Sequence, residues 1–214
     1  MKGMNKFLGI LALGLAASTA NAAFVVDIYD NAAWGFSTPE LNHTTPARAY
    51  VDANSATNSY SSETVNFYDY SSSKVVNGFA TNYWPHALGN DNTFIAHVTG
   101  DFYLSVDSYV GSWSDDGIDF LVDSAAYISR PNPHAPTFDL SSVVLLAGWH
   151  TLDVVLYERT GAAALQLFAE AVSGGARTLL HSPNAVPIPA AAFLFAPALL
   201  GFMGLRRKAK APIA

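Results

Sequence analysis

The sequence predicts an all-β fold, an antiparallel β-sandwich, and three observations carry that prediction. Apolar residues alternate with others at Phe94, Ala96 and Val98 against Ile95 and His97, at Phe102, Leu104 and Val106 against Tyr103 and Ser105, and at Leu152, Val154 and Leu156 against Thr151, Asp153 and Tyr157. A period of two places one face of each segment on a core. Turn-forming residues, namely Gly100, Gly117, Pro131-Asn132-Pro133, Ala147-Gly148 and Thr160-Gly161, punctuate the chain, and short strands at a spacing of about 8–12 residues are the pattern of sandwiches and barrels. Finally, no helical period persists over residues 23–92, where Ser, Asn, Thr and aromatic residues dominate.

Taken in order, Lys2 and Lys6 precede an apolar run over residues 7–17, and Ala20-Asn21-Ala22 closes it. That order is a secretory signal peptide, so residues 1–22 are expected to form a cleaved signal helix and the mature chain to begin near Ala23. Short apolar pieces such as Phe24-Val25-Val26 and Val65-Asn66-Phe67-Tyr68 read as strands joined by polar loops. Beyond the alternating segments, residues 118–122, 126–128, 142–146 and 165–169 are strand candidates. The β-sandwich is expected over residues 23–172. Residues 173–185, with Gly174-Gly175 and Pro183, read as a linker. Residues 186–205 contain no charge, and twenty residues at ~1.5 Å rise match a hydrocarbon core of about 30 Å, so a transmembrane helix is expected there. Arg206, Arg207, Lys208 and Lys210 follow, a cluster that holds residues 206–214 in the cytoplasm and the domain outside.

The chain has 214 residues and no Cys, so an exported domain must be held by packing or by metal rather than by disulfides. Six of the eleven Lys and Arg lie in the two end segments and all seventeen Asp and Glu between them, leaving five bases against seventeen acids, a net −12. Nucleic acid is excluded as a partner of that surface, whereas divalent cations and neutral or cationic sugars and peptides suit it. Solubility alone explains such acidity equally well. There is no H-E-x-x-H, no G-x-S-x-G, no phosphate-binding glycine loop and no thiol, and the six His residues are scattered. The protein therefore reads as no enzyme.

Val186-Pro187-Ile188-Pro189-Ala190-Ala191-Ala192, then an apolar segment containing Gly201 and Gly204, then Arg206-Arg207-Lys208, together resemble the PEP-CTERM sorting signal in its V-P-x-P-A variant. Ile188 stands where the commonest form has Glu. The resemblance implies an exosortase-type membrane protease as partner, membrane attachment before processing, and delivery to the cell surface or extracellular matrix. A plain single-span anchor is the alternative.

Gly100-Asp101-Phe102-Tyr103-Leu104, Ser114-Asp115-Asp116-Gly117, Ala147-Gly148-Trp149-His150 and Tyr157-Glu158-Arg159-Thr160-Gly161 are similar, over roughly residues 94–168, to the β-sandwich family named for anthrax protective antigen. In that family's sugar-binding members two successive Asp residues, sometimes joined by a cis peptide, hold a Ca²⁺ that coordinates vicinal sugar hydroxyls. The resemblance assigns that role to Asp115 and Asp116, with Asp119, Asp107 and Asn132 as further oxygen donors. The same Asp-Asp-Gly reads equally as a turn. Residues 108–113 look like an insertion that lengthens the preceding loop. Trp34, Trp84, Trp113, Tyr83 and Tyr109 lie in loop-like sequence; Trp113 and Tyr109 are the candidates for stacking on a sugar, whereas Trp149 is expected in the core. Three functions remain open at this point: a Ca²⁺-assisted binder of extracellular polysaccharide, a structural matrix component, and a hydrolase with an unrecognised carboxylate pair.

Overall fold

A computed structural model describes residues 23–30, 41–69, 74–85 and 93–182. The signal segment, the sorting motif from Val186 to Ala190, the apolar span, the basic cluster and Trp34 lie outside the described residues. Among the described residues no helix is long and apolar enough to cross a membrane.

In chain order the elements are β1 (Phe24–Asp30), α1 (Thr44–Ala53), β2 (Asn58–Ser62), β3 (Asn66–Tyr68), β4 (Val75–Val76), β5 (Phe79–Ala80), β6 (Phe94–Leu104), β7 (Ser108–Asp115), β8 (Ile118–Val122), β9 (Ala125–Arg130), β10 (Thr137–Leu140), β11 (Gly148–Glu158), β12 (Ala164–Ala171) and β13 (Thr178–Leu179). One antiparallel sheet runs β2-β1-β6-β11-β8-β9; a second runs β10-β7-β12-β13 with β3 also on β12; β4 and β5 form a small hairpin. The alternation explains the layering. Phe94, Ala96, Val98, Phe102, Leu152, Val154 and Leu156 of the larger sheet share one buried core with Val110, Leu165, Leu167 and Ala169 of the smaller. The described fold is thus mostly antiparallel β, as the alternation predicts, with one short helix besides.

That helix is the first correction. It begins with His43, whose Nδ1 accepts the Thr45 amide at 3.1 Å, and Pro46 in its first turn costs no internal hydrogen bond. Thr44, Ala47 and Val51 face inward. Ten residues are too few to form a stable helix alone, and this one is held by the outer face of the larger sheet. There it buries Tyr29, Ile95, Val155 and Tyr157, so the sheet is apolar on both faces at this end. Arg48 adds an ion pair to Asp153 at 2.9 Å.

Two further corrections concern strands. Residues 108–113 are not a loop insertion but most of β7, a central strand paired with both β10 and β12. Conversely, residues 142–146 form no strand: only Leu145 pairs, with Ser108, while Val143 and Leu146 are exposed. The regular strand there is β10, just before. At the far end β13 pairs with β12 and Leu180 enters the core, so the folded unit extends past the expected boundary at residue 172.

Candidate metal centre and ligand surface

Asp115 ends β7 in one sheet and Ile118 opens β8 in the other, so Asp115-Asp116-Gly117 is a corner between sheets rather than a hairpin turn. The peptide bond between Asp115 and Asp116 is cis. Gly117 passes so close beneath Tyr157 that a Cβ would enter the ring and lie 2.9 Å from the Pro131 carbonyl oxygen. The Tyr157 amide in turn donates to the Gly117 carbonyl at 3.0 Å. This locks the corner against the end of β11, and the next residue of β11 is Glu158.

The result is a group of three carboxylates, Asp115, Asp116 and Glu158, with oxygens within 4.8 Å of one another. Asp116 Oδ1 accepts the His134 amide and its Oδ2 the Arg159 amide, each at 3.0 Å. It thereby ties two loops to the corner. Glu158 is fully buried, and neither of its oxygens meets a donor at hydrogen-bonding geometry. Burial, then Asp116 and Asp115, push its carboxyl up to about 9, outweighing the nearby amides of Thr160 and Asp116. Asp115 is half-buried and pushed up to about 7 by desolvation and by Asp116, with Lys74 acting the other way. Closely packed carboxylates in a poorly solvated corner resist carrying their charges together. A hard divalent cation removes that resistance, because it takes six to eight oxygen ligands and prefers carboxylates. The donor set fits Ca²⁺.

Glu158 was not among the ligands expected from the sequence. Its signal was present: an acid directly after the apolar run of β11. Of the expected ligands, Asp119 is not part of that group, and Asn132 stands in the loop whose His134 amide bonds Asp116. Asp119 accepts from Ser129 Oγ at 2.7 Å, Asn132 is exposed in its loop, and Asp107 instead accepts the Ala147 amide at 2.8 Å.

The aromatic residues also differ from expectation. Trp113 is 5% exposed, wedged between Tyr68 and Phe138, so its ring has no face free for a sugar. Tyr109 is half-buried, six residues from Asp115 along β7, or about 20 Å. Trp84 is buried against Phe67 and Phe94. Trp149, expected inside, is 60% exposed.

No family model matches the sequence, and no curated protein does. Solved structures do match. The PA14 domain of the antifreeze protein MpAFP is similar with a TM-score of 0.59 at 16% identity, over 76% of this chain and 88% of that one. The PA14 sugar-binding domain of an RTX adhesin gives 0.56 at 18%, over 76% and 99%. The A domain of epithelial adhesin 9 from Candida glabrata, in complex with Galβ1-4GlcNAc, gives 0.53 at 10%, over 78% and 92%. At these identities the likeness is one of fold, and the described domain has a PA14-like β-sandwich.

Proposed function

We propose that the protein is an exported, non-catalytic protein of the cell surface or matrix whose sandwich binds carbohydrate through a Ca²⁺ held by Asp115, Asp116 and Glu158. The observation that carries this reading is the convergence of three carboxylates around a fully buried Glu158. When bound, Ca²⁺ supplies a hard, doubly charged centre whose remaining ligand positions suit vicinal hydroxyls. The chain's own part is to hold the corner: Asp116 fixes both flanking loops, and Asp115 is the least buried of the three acids. Two similar domains support the sugar reading, one named sugar-binding and one crystallised with a galactoside.

The test is calorimetric titration with calcium, followed by a glycan panel. Wild type is expected to bind calcium and to melt higher with it than in chelator, since a ligand at a hundredfold excess over Kd stabilises by about 2.7 kcal/mol. Asp115→Asn with Asp116→Asn loses the charge, together with one of the two backbone amides that Asp116 accepts, and is expected to do neither. Identical melting of wild type in calcium and chelator, with no heat of binding, leaves a structural matrix component as the answer; turnover of any glycan would make it a hydrolase.

The end segments belong to the same reading. The order of proline motif, apolar span and basic cluster supports sorting by an exosortase-type protease, with the membrane helix a transient anchor.

A further inference from the structure

At the end of the larger sheet away from the carboxylates, the rings of Tyr103 and Trp149 lie side by side, centroids 5.5 Å apart and planes at 59°. They are 52% and 60% exposed. The register pairs Trp149 with Tyr103 and Thr151 with Asp101. Residues two apart on a strand share a face, so these four form one tile on the outward side of the sheet. Further along that side Ile95, Val155 and Tyr157 are buried with helix α1; the aromatic pair is left open.

Asp123, from the turn between β8 and β9, borders the tile. Its carboxylate accepts from the Thr151 amide at 2.9 Å and the Thr151 hydroxyl at 3.2 Å, and His150 Nδ1 lies 2.7 Å away. His150 holds that carboxyl below the usual range. Asp101, Asp123, Trp149, His150 and Thr151 line an open hollow of ≈ 250 Å³. Asp101 is exposed and has no partner among the described residues.

Two ring faces beside an unneutralised carboxylate complement a ligand with an apolar C–H face and a positive charge, because a cation is drawn both to the carboxylate and to the aromatic quadrupole. Thr151 and Asp123 add hydroxyl partners, which a sugar uses and a simple ammonium ion does not. We propose that this tile is a second glycan site, independent of metal, for a saccharide carrying a free amino group. Trp149 and Glu158 stand nine residues apart on β11, about 30 Å at ~3.4 Å per residue, so the two sites act separately.

The test is calorimetry on the full chain in chelator, with glucosamine oligomers and their N-acetylated counterparts as probes. The aminated oligomer is expected to bind and the acetylated one to bind about tenfold more weakly, the loss of one charge contact being about 1.4 kcal/mol. Trp149→Ala, at an exposed position, is expected to abolish binding; Asp101→Asn to weaken only the aminated probe; and Asp115→Asn with Asp116→Asn to change nothing here, whatever it does to calcium. Equal binding of both probes, absence of binding, or full binding by Trp149→Ala would overturn the proposal.

Discussion

Glu158 ends a strand whose previous four residues are all buried and apolar or aromatic, and its carboxylate is the least solvated charge of the candidate centre. Raised to about 9 from an ordinary 4.5, it binds a proton in the folded chain that the unfolded chain has already released. Folding stability without metal therefore falls as pH rises from about 4.5 towards 9. Asp115, raised to about 7, acts in the same direction over the lower part of that range. Calcium favours the ionised forms and is expected to cancel the fall. Melting temperatures at pH 5, 7 and 9, in chelator and in calcium, check this, and Glu158→Gln should flatten the chelator series. Gly117 is the other decisive residue. Gly117→Ala drives a methyl into the Tyr157 ring, an overpacking expected to cost about 1–3 kcal/mol and to displace the corner that presents Asp116. Denaturant melts and calcium titration of this variant should fail together.

At the scale of elements, helix α1 shows how a short, weakly amphipathic segment becomes ordered. It has no acid in its first turn and no base in its last, so its order comes from Ala47 and Val51 on the sheet and from Arg48 on Asp153. Asp153 is pulled to about 2, first by its hydrogen bond from His97, then by Arg48, against partial desolvation. A depressed carboxyl contributes stability above its unfolded value near 3.8 and loses it as pH falls towards 2. Asp153→Asn is expected to cost roughly 0.5–1 kcal/mol at pH 7, the modest figure of a part-exposed pair, and nothing near pH 2. Urea melts of both proteins across that range measure it. Strand β7 makes the complementary point. Gly111, where a Cβ would strike the Phe168 ring and sit 2.9 Å from the Asp139 carbonyl, lets β7 lie tightly between β10 and β12.

For the whole molecule, the proposed reading gives the ends and the domain separable roles, and each can be tested alone. Charged residues in place of Leu11 and Leu13 are expected to block export, since the apolar run is what a secretion system inserts; fractionation of cells and medium reads the outcome. Pro187→Ala with Pro189→Ala should preserve an apolar span while stopping its removal, so an uncut form should collect in membranes on immunoblot. No change of size relative to wild type would point to a plain anchor.

Alternation in β6 and β11 was legible in the sequence because a period of two is imposed by strand geometry itself, and the strand at residues 118–122 could be read as a short segment bounded by the turn residue Gly117. The Asp115-Asp116 pair was visible as two adjacent acids before a glycine. What made it a candidate centre was not: Glu158 lies more than forty positions away in the chain, and only the pairing of β11 with β8, together with the crossing of the chain between sheets at Gly117, brings it to the corner. Exposure is likewise a property of the assembled surface. Trp113 and Trp149 both sit on strands, and the sequence carries no sign that β7 turns one ring into the smaller sheet's packing while the larger sheet ends with the other in solvent. Local pattern determined which segments are strands; the long-range pairing of those strands decided which acids meet and which rings remain free, because both depend on residues distant in sequence sharing one face.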